Sequence, residues 1–124
     1  MKDPRERIKD MLEAIEHIDR YASRGRSQFE QDELIQSWVT RHLQILGEAA
    51  RLLPEDVRKL APEVPWQKMI GMRHILVHDY FRIDTEIVWQ VVEKELPQLK
   101  RSLQDLLSRL EEGRGQVSPL GRRR

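Results

Sequence analysis

Apolar residues recur every three or four positions along most of this chain, and this spacing limits the possible folds more than any other feature. The clearest stretch alternates steps of four and three residues: Val92, Leu96, Leu99, Leu103, Leu106 and Leu110. A similar row near the amino terminus consists of Ile8, Met11, Leu12, Ile15 and Ile18. Residues with this spacing lie on one face of an α-helix. The pattern predicts an all-α protein in which each helix buries one face.

Capping residues mark where the first two helices begin. Asp3 and Pro4, followed by Glu6, are typical of a helix start, and the first row fades after Tyr21. Ser27 and Glu30 form a second capping box, from which we expect one long helix up to Pro54. Its expected buried residues are Leu34, Ile35, Trp38, Val39, Leu43, Leu46, Ala49 and Ala50.

Prolines and Asp84 delimit the second half. Between Pro54 and Pro65 we expect one short helical turn and an extended connector. Pro65 can open a third main helix, with Trp66, Met69, Ile70 and Leu76 as its buried residues. Asp84 is expected to cap a last long helix, which Pro97 should kink and Gly113 should end.

These elements predict an antiparallel bundle of four to five helices with a kinked, long C-terminal helix. The chain of 124 residues fits one domain. We place this helical domain at residues 1–112 and expect 113–124, which ends in three arginines, to be a disordered basic tail.

Composition restricts the possible functions. The absence of cysteine excludes disulfides and thiolate metal sites. With 22 basic and 21 acidic residues the net charge is only +1, so contact with nucleic acid would need a local patch, paired subunits or the arginine tail. No stretch approaches the ~20 apolar residues of a membrane span, and the charged amino terminus lacks a secretory pattern. We expect a cytoplasmic protein without membrane contact.

The segment 71–81 combines titratable and hydrogen-bonding side chains with apolar residues. A single histidine or arginine near a helix end often only satisfies a carbonyl group or covers apolar surface. Here Arg73, His74, His78, Asp79 and Tyr80 lie within eight positions. The residues alone leave the structural and the catalytic interpretation open.

Arg73, His78 and Tyr80 are spaced as R-x4-H-x-Y, and this motif resembles that of the HepT family within the HEPN superfamily. The similarity includes the flanks, namely the block 43–50 and the residues 65–66, 71–73, 76–81 and 84–89. The resemblance covers most of residues 5–110 and implies an HEPN-type bundle.

The resemblance implies a ribonuclease toxin of a type VII-like toxin–antitoxin module that needs no metal or other cofactor. Its implied partners are RNA, a second copy of the chain in a homodimer, and an MntA-type minimal nucleotidyltransferase antitoxin. The resemblance also implies that this antitoxin adenylylates Tyr80 and thereby silences the toxin.

The residue types suit the implied chemistry, in which the RNA 2′-hydroxyl attacks its own phosphate. His78 can act as acid or base near neutral pH, since an unperturbed imidazole has a pKa of ~6.5. Arg73 offers a planar cation to the phosphate oxygens, and Tyr80 can bond the phosphate or hold His78. One histidine cannot easily serve as both base and acid, so a dimer that brings two motifs together would supply both.

Three other residues have supporting roles in this hypothesis. In an unbroken helix Arg73 and His78 would not share a face, so we expect the helix to end near Val77 or the two to meet across a subunit interface. His74 could orient phosphate, and Asp79 could orient His78 or repel RNA. Glu48 could hold Arg73 in an ion pair or be a surface carboxylate.

Three alternatives remain. His74 and His78 could hold a metal if the helix continues, but a convincing site needs a third ligand. The chain could instead be a non-enzymatic helical module that pairs with a nucleotidyltransferase or binds nucleotide, which suits its near-neutral charge. Finally, the leucine row of the last helix could be a dimer interface, with the motif only capping a helix.

Overall fold

In a computed structural model, the described part of the chain comprises the backbone of residues 2–71 and 84–116 and the side chains of 2–71 and 84–113. All of its regular elements are helical, as the sequence predicts. They are α1 (Pro4–Ala22), α2 (Arg26–Gln31), α3 (Glu33–Leu52), α4 (Glu55–Arg58), α5 (66–71 as described), α6 (Thr85–Gln90), a π-helical segment (Val91–Glu95) and α7 (Leu96–Gln116).

The helix α1 lies against both α3 and α7 and runs antiparallel to each. On the α3 side, Tyr21 contacts Trp38 and His17 contacts His42, so the numbering falls on α3 as it rises on α1. On the α7 side, Lys9 pairs with Glu111 at 3.7 Å and Asp19 lies near Lys100, so the numbering again falls on one helix as it rises on the other. The buried face of α1 consists of Ile8, Met11, Ala14, Ile15, Ile18 and Ala22. The predicted antiparallel bundle is confirmed.

The start of α1 is as predicted, but that of the long second helix is not. The side chain of Asp3 accepts a hydrogen bond from the Arg5 amide and caps α1. The expected capping box of Ser27 and Glu30 is wrong: α2 begins after Gly25, whose φ is 102°, and has no side-chain cap. The chain breaks at Asp32, which accepts from the amides of Leu34 and Ile35 and starts α3. A side chain at the N-cap stabilises a helix start only when it accepts from the free amides of the first turn, as Asp32 does and Ser27 does not.

The leucine row of the last helix faces the core. Val92, Leu96, Leu99, Leu103 and Leu106 are buried, and Leu110 packs partly buried against them. The hypothesis that this row is a dimer interface is therefore wrong, because the row is already covered within one chain.

The last helix begins at its predicted cap, since the side chain of Asp84 accepts from the Ile87 amide. The irregularity expected at Pro97 is a π-helical segment that ends at Glu95, where the Leu96 amide bonds the Val91 carbonyl five residues back. A proline cannot donate to the preceding turn, and the wider π turn accommodates this loss. The helix continues to Gln116, so the end expected at Gly113 is wrong.

The connector between α3 and α5 consists of the short helix α4, which confirms the predicted helical turn, and of the turns that follow it. Val57 and Val64 are buried, whereas Leu60 is 45% exposed. Successive backbone bonds join Leu60 to Val57 and Val64 to Ala61, so the expected extended connector is a series of turns. None of the described helices is both long and apolar enough to cross a membrane.

Two leucines test this account of the core. We expect Leu103→Ala to lower the free energy of unfolding by about 2–5 kcal/mol, since Leu103 is fully buried and its removal leaves a cavity. Leu34→Ala, at a position that is 81% exposed, should cost less than about 0.5 kcal/mol. Urea denaturation followed by circular dichroism measures both. Equal losses would show that Leu103 is not in the core.

Candidate functional site

Most of the predicted site lies outside the described residues. Arg73, His74, His78, Asp79 and Tyr80 fall between residues 71 and 84, as do Leu76 and the helix end expected near Val77. The roles assigned to them, and the possible metal site at His74 and His78, stay predictions. The structure does define how the chain is held on either side of this segment.

Before the segment, α5 is held by a buried indole. Trp66 is 8% exposed, and its Nε1 donates to the carbonyl oxygens of Arg58 and Ala61, both at 3.0 Å. Met69 is buried with it, as predicted. Lys68 Nζ donates to Glu95 Oε2 at 2.7 Å and so joins α5 to the π-helical segment. Residues 66–71 are therefore fixed to the core on one side and to the last helix on the other.

After the segment, α6 is held in the same way. Trp89 is 6% exposed and stacks at a tilt on the buried Phe29 of α2, with ring centroids 5.3 Å apart. Arg26 of α2 forms an ion pair with Glu86. With the Asp84 cap, these contacts fix the position at which the chain re-enters the bundle.

Glu48 is the one predicted site residue that the structure describes. Its carboxylate pairs with Arg51, with Oε2 2.7 Å from Nη2 and Oε1 3.2 Å from Nε. The side chain is 39% exposed. The expected pair with Arg73 stays a prediction, since Arg73 lies outside the described residues.

A group of rings between α1 and α3 was not singled out from the sequence. The centroid of Trp38 lies 4.4 Å from that of His42 and 5.6 Å from that of His17, and the two imidazoles are 4.8 Å apart. Trp38 Nε1 donates to the His17 carbonyl at 2.7 Å, and His42 Nδ1 lies 2.8 Å from the Trp38 carbonyl. His42 is 8% exposed. It follows Thr40 within the apolar row of α3, and a histidine inside such a row is the signal that could have identified it.

These rings adjoin an open cleft of about 550 Å³ between α1 and α3. The lining includes Arg7, Asp10, Glu13, Arg41, Ile45 and Glu48. His17 Nδ1 is buried, with no hydrogen-bond partner among the described residues. Among those residues no group of three histidine or carboxylate side chains could hold a metal ion. The cleft offers charges of both signs around an apolar floor and suits a macromolecular contact better than a metal.

A second, smaller cavity of about 170 Å³ lies where α3, the start of α5 and the π-helical segment meet. Its walls are mainly apolar, with Leu43, Met69, Val91 and Leu99 among them. Glu63 and Glu95 are its only carboxylates in the described residues. Most of this lining is therefore apolar packing surface.

The described residues form an all-α bundle. In its sequence the motif segment lies between two helices, α5 and α6, each of which has a buried tryptophan. Residues 11–106 match the family model described as "Ribonuclease HepT-like". The chain belongs to this HepT-like family of the HEPN type. No solved structure was found to match it.

Two relatives support the assignment over most of their length. The chain is 37% identical over 100 residues to "Probable ribonuclease HepT" of Thermococcus cleftensis, which covers 80% of this chain and 91% of the relative. It is 33% identical over 110 residues to "Putative RNase TTE0752" of Caldanaerobacter subterraneus subsp. tengcongensis, with 88% and 98% covered.

The caps of α3 and α6 provide a matched test of where these two helices begin. Asp32→Ala and Asp84→Ala each remove a carboxylate that bonds free amides of the first turn. We expect each to lower the free energy of unfolding by about 0.5–2 kcal/mol. Thermal unfolding measures the loss, and Asp→Asn at either position should recover most of it. If Asp84→Ala leaves the free energy of unfolding unchanged, the Asp84 side chain does not stabilise the start of α6.

Proposed function

We propose that this chain is a metal-independent endoribonuclease that acts as the toxin of a two-gene module. The observation that carries the proposal is the R-x4-H-x-Y spacing of Arg73, His78 and Tyr80, which falls inside the matched region 11–106 of a ribonuclease family. The names of the relatives, which denote ribonucleases, support the substrate class. The contacts of Trp66 and Trp89 fix the described helices α5 and α6 on either side of the motif in the sequence.

In the proposed reaction a 2′-hydroxyl of RNA attacks the adjacent phosphorus. The imidazole of one His78 takes the 2′-hydroxyl proton, and the bond from the phosphorus to the 5′-oxygen breaks. Arg73 stabilises the negative charge on the phosphate oxygens. An imidazolium, supplied by His78 of a second copy, protonates the leaving 5′-oxygen. The products are a 2′,3′-cyclic phosphate and a 5′-hydroxyl.

No metal ion has a role in this scheme, because the attacking oxygen belongs to the substrate and Arg73 supplies the positive charge. His74 and Asp79 are proposed to orient phosphate and His78, and Glu48 to hold Arg73. The proposed setting is the cytoplasm, where the antitoxin would also act.

We expect purified chain to cleave a labelled RNA oligonucleotide in the presence of excess chelator. Arg73→Ala should lower the rate about 10²–10³-fold, as loss of one charge-stabilising group does, and His78→Ala about 10²–10⁴-fold. Arg101→Ala is the matched control, because Arg101 is an exposed arginine of α7 and no part of the R-x4-H-x-Y motif. Gel electrophoresis gives the rates, and mass spectrometry identifies the cyclic phosphate.

The substrate provides the second control for this experiment. An oligonucleotide with a single 2′-deoxy nucleotide at the cleavage position should resist cleavage at that position alone. Cleavage there at an unchanged rate would contradict attack by the 2′-hydroxyl. If the wild-type chain leaves all RNA intact but binds a nucleotidyltransferase, the result favours the non-enzymatic binding module. The net charge of +1 suits that alternative.

The proposal includes control by an MntA-type nucleotidyltransferase that transfers an adenylyl group to Tyr80. The phenolic oxygen attacks the α-phosphorus of ATP, pyrophosphate leaves, and the added group blocks the approach of RNA to His78. The bulk and negative charge of the adenylyl group account for the silencing.

The chain has two tyrosines, so a matched pair of variants tests this step. Tyr80→Phe should prevent adenylylation by the nucleotidyltransferase and ATP, while its effect on cleavage stays smaller than that of His78→Ala. Tyr21→Phe should be adenylylated as wild type, because Tyr21 packs partly buried against Trp38. Intact-protein mass spectrometry counts the adenylyl groups. An adenylyl group on the Tyr80→Phe variant would exclude Tyr80 as the modified residue.

A further inference from the structure

The cavity where α3, α5 and the π-helical segment meet has an apolar floor and a polar rim, and we name it the apolar cavity. Its floor consists of buried side chains from α3, the connector, α5 and α7: Leu43, Leu46, Val64, Met69, Leu96 and Leu99. Glu63 and Gln98 also line it, and both are exposed. A ligand would therefore enter with an apolar body first and keep its polar end at the rim.

The volume of the apolar cavity suits one small ring. The cavity measures about 170 Å³. An engineered protein cavity of about 150 Å³ with apolar walls stays dry and binds benzene. Native interiors contain few voids larger than a water molecule, so an apolar space of this size is uncommon. A water molecule on the floor would find few polar partners, which favours an apolar occupant.

The π-helical segment contributes both of its ends to the apolar cavity. Val91, its first residue, and Glu95, its last, belong to the lining. Turns of π-helix inside α-helices are rare and frequently lie at functional sites. Gly47 lines the cavity from α3 with backbone alone, because glycine has no side chain to occupy the space. A widened turn and a glycine therefore both contribute to keeping this space open.

The charges at the rim favour a cation. The described lining contains the carboxylates of Glu63 and Glu95 and no lysine, arginine or histidine. Glu95 is neutralised by Lys68, whose Nζ lies 2.7 Å from its Oε2. The Glu63 side chain forms no ion pair with any described residue. An ammonium group at the rim would find this unpaired carboxylate, whereas an anion would be repelled by it.

We propose that the apolar cavity binds a small apolar amine, with its hydrocarbon body on the floor and its ammonium group at Glu63. A mainly apolar lining with a few polar groups is typical of small-molecule sites. The volume restricts the body to about one six-membered ring. The buried floor suits a free small molecule, because a segment of another protein could not follow its own side chain into so small a space.

The inference goes beyond the proposed function and does not rest on it. Its test measures the binding of an amine to the folded chain, whereas the test of the proposed function measures the cleavage of RNA. A chain that binds the amine and leaves RNA intact keeps the inference and removes the nuclease. A chain that cleaves RNA and binds no amine keeps the nuclease and removes the inference.

Nuclear magnetic resonance of the full chain with ¹³C-labelled methionine methyl groups tests the site, with benzylamine as the probe. Benzylamine should shift the Met69 methyl signal, with a dissociation constant on the order of 1 mM for so small a ligand. Met11 is the matched control, because it is fully buried on α1 and is not among the lining residues, so its signal should stay in place. A Met69→Leu variant assigns the signal.

The charge of the probe tests the role of Glu63. Benzyl alcohol, the neutral analogue, should bind about threefold or more weakly, since it lacks the pair with an exposed carboxylate, and benzoate should bind more weakly still. Glu63→Gln should lower the affinity for benzylamine to that for benzyl alcohol and leave the latter unchanged. Glu55→Gln is the matched control and should bind as wild type, because Glu55 is an exposed carboxylate of α4 outside the lining.

A larger side chain in the apolar cavity tests its size. Leu99→Phe should weaken the binding of benzylamine and of benzyl alcohol alike, by at least about tenfold. Circular dichroism checks that this variant folds, and Glu63→Gln tests the site independently, because it changes only an exposed side chain. An unshifted Met69 signal, equal shifts of Met69 and Met11, equal affinities of the three probes, or a folded Leu99→Phe variant that binds normally overturns the proposal.

Discussion

The rest of the described structure depends on the packing of α1 against both α3 and α7. The buried face of α1 supplies side chains to both neighbours, and Ile8, Met11 and Ile18 are fully buried there. Because α1 touches both helices, it sets where α7 lies relative to α3. Trp66 and Trp89 belong to the same hydrophobic core. The two ends of the motif segment, at α5 and α6, are therefore fixed to one packed unit.

The main helices could be predicted from the sequence because their apolar rows are long and regular. Apolar residues recur at helical spacing from Val92 to Leu110, and burial of this one face is enough to predict a helix there. The boundary at Asp32 was missed because no proline interrupts residues 28–53, so the capping box at Ser27 and Glu30 predicted one continuous helix and only the capping geometry of Asp32 marks the break. Leu34 was assigned to the core for the same reason. It lies one position before Ile35, and the turn that begins at Asp32 directs it outward.

The motif at Arg73, His78 and Tyr80 could be recognised from spacing and flanks, because catalytic side chains on one segment leave a local pattern. The contact between the rings of His17, Trp38 and His42 could not, although His42 stands out as a histidine inside the apolar row of α3. Trp38 donates to a carbonyl 21 residues away, and this contact arises only when α1 and α3 pack antiparallel.

The account needs a guanidinium and an imidazole five positions apart to act on one phosphodiester. The most direct measurement is a crystal structure of the chain with an RNA oligonucleotide that carries a single 2′-deoxy nucleotide at the cleavage position. The account predicts Arg73 and a His78 imidazole within hydrogen-bonding distance, about 2.6–3.2 Å, of oxygen atoms at the same phosphate. An RNA bound with that phosphate far from either side chain would contradict it.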